Sequence, residues 1–410
     1  MEGIHKEYRG GSEGTNLNEP LRLGIAGLGV ASTQILPPIS ALSYIKITAA
    51  ADIRPDALEK FRAVYQGETY TSVQTMCEEA GIDAVYVATP NPLHAEHAII
   101  AARSGKHVIV EKPMAMSLTE CDAMNEAAEK NGVKLLCGHT HSFDPPIRKM
   151  REIVKSGELG KLSMINSWNY NEFMYRPRMR HELAMSRGVV LNQGPHHVDI
   201  VRLIGGGLVR SVRAMTGIWD KAREWEGSYS CYLEFEDGTP ATLVYSGYGF
   251  FDTAELFGWV GEGGQYRAPE TNLNVREKLR EVLGTEEEQL KEGMRFGGQR
   301  EGEYSHVWGG ERKQPFFGLI VVSCEKGDIR QTPDGLKIYG ETEKREIQLP
   351  AANRGREAEV EELYNAVVHN RPVVHDGRWG AATLEVCLAI LESAAKRKEI
   401  FLSHQVPSPE

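Results

Sequence analysis

A lysine held at the end of a strand can move a proton, and Glu111-Lys112-Pro113, directly after the apolar run His107-Val108-Ile109-Val110, offers one. Pro113 biases Lys112 away from helical backbone, which keeps the ammonium at the strand end. Glu111 can orient it or tune its pKa. A lysine used near neutrality must be shifted below its free value by desolvation or by a neighbouring cation. The complementary group would be a hydride acceptor, and Gly27-Leu28-Gly29-Val30-Ala31-Ser32 could hold one. Gly27 permits a tight turn, and Gly29 lets the backbone of Val30 and Ala31 approach a pyrophosphate at a helix N-terminus. Ser32 takes the third small position. Asp52 stands about 20 residues further on, where a dinucleotide fingerprint has its acid. It would accept hydrogen bonds from a ribose diol and repel a 2'-phosphate, so NAD is favoured, while Arg54 keeps NADP open.

A third group is Ala88-Thr89-Pro90-Asn91-Pro92-Leu93-His94. Thr89 and Asn91 could bond the ribose or carboxamide of the same cofactor, or cap the next helix. For His94, capping or packing ranks ahead of contact with the cofactor.

These groups require a scaffold, and the chain supplies alternating elements. Short apolar runs at 21–26, 45–51, 84–88, 108–110 and 133–137 alternate with amphipathic stretches at 55–65, 94–104 and 118–131. Strands separated by helices predict a doubly wound parallel sheet. Pro37-Pro38 is expected to end or kink the first crossover helix. After Pro145-Pro146 a helix over 147–156 is followed by longer alternating runs at 162–170, 209–218, 228–235, 239–247 and 317–323. Glu236-Asp237-Gly238-Thr239 between two of them is a hairpin signal. Successive strands predict an antiparallel sheet with one open face, a candidate surface for a homodimer or homotetramer. Residues 274–294 interrupt the strands as a charged, helix-forming insertion, and 356–398 read as helix. The expected domains are a mobile tail at 1–20, a dinucleotide-binding domain at 21–145 and a substrate-binding and oligomerisation domain at 146–410.

Composition narrows the function classes. At 410 residues, two domains are expected. The balance of 41% hydrophobic and 25% charged residues is that of a soluble globular protein, with no apolar stretch of bilayer-spanning length. The polar first 20 residues do not read as a signal peptide, so a cytoplasmic protein is expected. A net charge of -10 disfavours nucleic acid as a partner. Six scattered cysteines without a Cys-x-x-Cys pair suggest neither a metal site nor disulfides.

Gly27-Leu28-Gly29, Asp52, Thr89-Pro90-Asn91, Glu111-Lys112-Pro113 and the segment 188–199 together resemble the glucose-fructose oxidoreductase / inositol dehydrogenase / MocA (Gfo/Idh/MocA) family of NAD(P)-dependent oxidoreductases. The resemblance covers nearly all of 21–402. It implies an α/β protein: an N-terminal Rossmann domain, doubly wound on a parallel sheet, and a C-terminal α+β domain with a large open, mostly antiparallel sheet. It also implies that Lys112 is catalytic or binds substrate. The family's second motif, Asp-x-Gly-x-His-x-x-Asp, is matched by Asn192-Gln193-Gly194-Pro195-His196-His197-Val198-Asp199. His196 falls at the usual catalytic base. Asn192 replaces the first acid, and an amide cannot accept a proton, so more of the proton transfer falls to Lys112. His197 reads as a packed histidine and Asp199 as an orienting or capping acid.

The segment from Trp168 to Arg180 carries Arg176, Arg178 and Arg180 with Tyr170 and Tyr175 nearby. Guanidinium forks match carboxylates and aromatic faces match a flat ring. His139 and His141 would form the opposite wall of a substrate site. Within the family, Gly138 to Asp144, Tyr175-Arg176-Pro177-Arg178 and His375-Asp376-Gly377-Arg378-Trp379-Gly380 look most like the phthalate 4,5-cis-dihydrodiol dehydrogenases. The implied reaction is oxidation of a ring secondary alcohol by NAD(P)+, with Lys112 or His196 taking the hydroxyl proton. Lys112, His196 and Asn192 would recognise the hydroxyls, and Arg176, Arg178 or Arg180 a carboxylate. The alternatives are a sugar, polyol or glycoside dehydrogenase of the same family, or a nucleotide-binding regulator without turnover.

Overall fold

The computed structural model describes residues 19–282, 285–301, 312–350 and 355–409. Of the tail expected at 1–20, residues 1–18 lie outside them. Strands β1 (Leu21–Ala26), β2 (Ile45–Ala51), β3 (Glu68–Tyr70), β4 (Ala84–Val87), β5 (His107–Glu111) and β6 (Leu135–Gly138) form one parallel sheet, ordered β3-β2-β1-β4-β5-β6. Leu23, Ile25, Val85, Val108 and Val110 are wholly buried, as strands covered on both faces require. The covering helices are α1 (Val30–Ser40), α2 (Pro55–Tyr65), α3 (Val73–Glu79), α4 (His94–Arg103) and α5 (Leu118–Lys130). Pro37 and Pro38 sit in the last turn of α1, which continues to Ser40 rather than stopping before them. The strand order reverses between β1 and β4, and ligands of open α/β sheets bind outside the carboxyl ends of strands at such a point. The glycine turn, Asp52, Thr89 and Lys112 all follow strand ends there.

Helix α6 (Pro145–Ser156), ended by Gly157 in the left-handed conformation, leads to the second unit. Its sheet contains β7 (Leu162–Tyr170), β8 (Val209–Gly217), β9 (Ser228–Phe235), β10 (Pro240–Ser246), β11 (Leu319–Cys324), β12 (Gly327–Thr332), β13 (Gly335–Gly340), β14 (Lys344–Gln348) and β15 (Ile400–Phe401). The order is β14-β13-β12-β11-β7-β10-β9-β8-β15, antiparallel except between β7 and β10. Gly238, at φ 82°, turns the β9–β10 hairpin, with the Thr239 amide bonded to Asp237. Helices α7 (Arg180–Met185) and α8 (Gly194–Gly205) precede β8. The insertion forms α9 (Thr271–Glu281) and α10 (Thr285–Gly293), and the chain ends in α11 (Gly355–Val368) and α12 (Gly377–Lys396) before β15. One face of this sheet packs on α8 and α12, while the other exposes Met164, Trp168, Met215 and Tyr232. Helix α12 also packs on α5 and β6, and a single apolar core runs from Val110 and Cys137 through Val198 to Ile165. The cleft between the sheets is thereby walled by α8 and the strand ends. Among the described residues, no helix is long and apolar enough to cross a membrane.

Candidate functional site

The cleft begins at the glycine turn. Gly27 has φ 93°, and a Cβ there would stand 2.7 Å from the Ala88 carbonyl oxygen, so only glycine fits. Gly29 caps α1, and a Cβ on it would meet nothing within 4 Å. That open space faces the helix N-terminus, beside the partly exposed Val30 and Ala31, and suits a dinucleotide pyrophosphate. Ser32 is buried and bonds the Gly27 carbonyl at 2.6 Å. Asp52 accepts from the Leu28 amide at 2.6 Å and the Arg54 amide at 2.8 Å. Arg54 donates to the carbonyls of Leu28 at 2.6 Å and Phe296 at 3.1 Å. Phe296 in turn donates its amide to the Gly29 carbonyl at 3.3 Å, and its buried ring joins the core of the first sheet. Lys60 pairs with Glu301 beside it. The chain beyond the charged insertion therefore straps the dinucleotide turn, which local sequence did not reveal.

At the next strand end, Thr89 is partly exposed, with its hydroxyl 3.0 Å from His97, and Asn91 opens a single turn. His94 sets its ring nitrogens 2.9 Å from the Pro113 carbonyl and 2.8 Å from the Thr89 carbonyl. Burial keeps its pKa low. Neutral, the ring can donate to only one of these carbonyls, yet wedged between both it ties the two loops together, the packing role ranked ahead of cofactor contact.

The Lys112-Pro113 peptide is cis. Lys112 donates to the Asn192 carbonyl at 3.0 Å, joining the β5 end to the start of α8. Burial lowers its pKa to about 8, with Arg356 and Arg178 acting in the same direction and Glu111 opposing. Glu111 does not face the cradle. It is buried against Arg356 and Tyr86, and both of these also contact Glu359. Glu111 thus anchors the strand end from behind and is not placed as a cofactor contact. Arg356 and Glu359 lie roughly 250 residues away in sequence and carry no local signal.

Helix α8 brings His196 beside Lys112. Its Nδ1 lies 3.1 Å from the His139 carbonyl, which assigns the proton to Nδ1 and the lone pair to Nε2. Burial, then Lys112 and His141, hold its pKa well below the usual value, so the ring is neutral. His141 meets it edge-on with centroids 5.0 Å apart, and Phe317 packs against both rings. Asp144 fixes His141 through Nδ1 at 3.0 Å. His139 is only 1% exposed and sits behind His196, near Cys137 and Asp199, so it supports the wall instead of lining it. His197 is packed between Tyr229 and Ser167. Asp199 accepts from Trp379 and Thr383 at the α8–α12 seam. The Asn192 side chain accepts from Gln193, so its contact with Lys112 comes from backbone that any residue would offer.

The three arginines divide. Arg176 is paired with Glu172 at 3.0 Å and Glu262 at 3.3 Å, and Arg267 holds the other oxygen of Glu172 at 2.7 Å. Burial would raise Glu172, but Arg176 and Arg267 hold it at about 2. With two carboxylates already on it, Arg176 is not placed to take a third, contrary to expectation. Tyr175 gives its hydroxyl to Asp220 at 2.9 Å, and Arg276 covers its ring. Arg178 lies 4.1 Å over Phe173, close enough to Lys112 to press on its pKa. The side chain of Arg180 lies outside the described residues. The insertion supplies Glu287, which accepts from the Arg178 amide at 2.9 Å and from Arg223 at 2.9 and 3.0 Å.

Residues 21–139 match the oxidoreductase family of NAD-binding Rossmann fold, and 147–266 match the GFO/IDH/MocA C-terminal domain. The chain is 35% identical over 381 residues to a 1-carboxy-3-chloro-3,4-dihydroxycyclohexa-1,5-diene dehydrogenase of Comamonas testosteroni, covering 91% of this chain and 94% of that one. The crystal structure of a putative dehydrogenase from Bordetella bronchiseptica RB50 superposes with a TM-score of 0.88 at 38% identity, over 93% of this chain and all of that one. An aldose-aldose oxidoreductase from Caulobacter crescentus, at 20% identity over 94% of this chain and all of that one, shares the fold with a TM-score of 0.71. The chain belongs to the GFO/IDH/MocA family and is an oxidoreductase whose N-terminal domain is the NAD-binding Rossmann fold.

Proposed function

We propose that the protein oxidises a ring secondary alcohol of an aromatic cis-dihydrodiol carboxylate, phthalate 4,5-cis-dihydrodiol being the specific candidate and 4,5-dihydroxyphthalate its product. The observation that carries the reaction type is an amine with a pKa of about 8, Lys112, beside the neutral ring of His196 in the cleft below the dinucleotide turn. The ring carboxylate is supported by the name of the Comamonas relative. NAD(P)+, when bound, supplies the acceptor for the carbinol hydride. Lys112 in its amine form takes the hydroxyl proton as the C=O bond forms. His196 Nε2 accepts a hydrogen bond from a hydroxyl and aligns it. Its pKa is too low for it to retain the proton, so Lys112 is the main base. The ketone then tautomerises to a catechol, a proton leaving the ring carbon and one joining the carbonyl oxygen, and aromatisation drives the sequence. Asp52 favours NAD over NADP because a 2'-phosphate would meet its carboxylate. A homo-oligomer would be formed through the sheet face bearing Trp168 and Tyr232.

One observation favours a sugar or polyol as the alternative. Glu262 lies near His141, and the Arg176 charge is already neutralised, which suits neutral hydroxyls. Reduction of NAD+ and NADP+ with dihydrodiol carboxylates, aldoses and cyclitols decides between them. Reduced nicotinamide from neutral sugars alone would overturn the dihydrodiol reading. Unchanged turnover in Lys112→Ala would remove Lys112 from the chemistry.

A further inference from the structure

The insertion is pinned to the walls of the cleft at two points. Its second helix, α10, is fixed in the first turn, where Glu287 binds the Arg178 amide and the Arg223 guanidinium, both members of the Arg223–Glu287 ion pair being about 7% exposed. Just past its C-terminus the chain is fixed again by Phe296 on Gly29 and by Arg54 on the Phe296 carbonyl. What lies between runs from the Arg178 wall to the dinucleotide turn, and Lys291 on it is near enough to Lys112 to feel its charge.

Lys291 follows Glu287 by one helical turn and shares its inward face. It is half-buried, and its ammonium makes no hydrogen bond or ion pair within the described residues. The charges that act on it most strongly are the cations Arg178, Arg295 and Lys112 and the carboxylate of Glu182, while Glu287 one turn before it is held by Arg223 and Arg295 is paired to Glu292 at 2.9 Å. A cation enclosed mostly by cations is unfavourable until an anion joins it. Burial, then Arg178, Arg295 and Lys112, bring Lys291 down to about 8, with Glu182 opposing.

We propose that Lys291 is the cation that receives the ring carboxylate of the substrate, with the Arg178 side chain beside it, so that the insertion confers selectivity for anionic rings. The inference rests on the dihydrodiol carboxylate reading for its substrate, but the subsite can be tested without turnover. Benzoate and its neutral counterpart benzamide are titrated calorimetrically into the NAD-loaded full chain, wild type and variants. Benzoate binding should weaken roughly 10- to 100-fold in Lys291→Ala and in Lys291→Gln, and return in Lys291→Arg, while benzamide changes far less. Equal benzoate affinity in wild type and both variants, or no benzoate binding to the wild type, would overturn the proposal. If benzoate depends on Lys291 while no dihydrodiol carboxylate is oxidised, the subsite stands and the substrate assignment fails. If dihydrodiol carboxylates are oxidised equally well without Lys291, the reverse holds.

Discussion

If Lys112 takes the hydroxyl proton, alcohol oxidation must follow the fraction of Lys112 present as amine. With its pKa lowered to about 8, this side chain is protonated below that pH and is an active base above it. At pH 7 roughly one molecule in ten then carries the amine, against about one in 2,500 for an unperturbed lysine, a gain of roughly 200-fold in active base. The pH dependence of kcat at saturating substrate should therefore climb about tenfold per unit up to pH 7 and level off above an inflection near 8, whereas kcat/KM for an anionic ring should fall again at higher pH as Lys291 loses its proton. His196 adds no second limb near 6.5, because burial and the adjacent Lys112 keep its ring neutral throughout that range. Lys112→Arg keeps a cation and a donor for the Asn192 carbonyl but cannot lose its proton, so it should cost about 10²- to 10⁴-fold in kcat. The assay is the initial rate of nicotinamide reduction between about pH 6 and pH 10, with NAD affinity measured separately by fluorescence. A flat profile, an inflection near the ordinary histidine value, or an arginine variant within threefold or so of wild type would refute the argument.

The cradle makes a paired prediction. Gly27→Ala forces a Cβ to 2.7 Å from the Ala88 carbonyl oxygen and should lower both thermal stability and NAD affinity, whereas Gly29→Ala meets open space and should weaken NAD binding with the melting temperature unchanged. If Gly29→Ala bound NAD normally, the pyrophosphate would lie elsewhere. Arg356→Met leaves Glu111 buried without its cation and should cost about 3–5 kcal/mol in urea unfolding. The same change removes a cation that lowers Lys112 and leaves Glu111 to raise it, so the alkaline inflection should move to higher pH; a fixed inflection would separate that cluster from the lysine.

The scaffold was legible because its signals are local. The apolar runs at 21–26 and 45–51 and the alternating ones at 162–170 and 228–235 coincide with β1, β2, β7 and β9, since burial on two faces or on one writes itself into neighbouring residues. Strand β12 carries no local signal because Asp328, Arg330 and Gln331 hide its single buried isoleucine, Ile329, and β3 carries none because three residues hold no period. The functional side chains obey a different logic. Lys112 announces itself through a motif, but what sets its pKa comes from Arg178 and Arg356, brought near only by the fold. Arg176 and Arg178 are two residues apart and chemically identical in sequence. One is tied to Glu172 and Glu262, whereas the other reaches the lysine, and the carboxylate from β10's following loop decides which. The insertion shows the limit most sharply. A run such as Thr285-Glu286-Glu287-Glu288 has the composition of a solvated helix, yet Glu287 is buried on Arg223 and turns that helix toward the cleft. Charge on a helix indicates that some face meets water, but only the partner waiting in the fold selects the face that does not, and with it the side chain, Lys291, that overlooks the substrate.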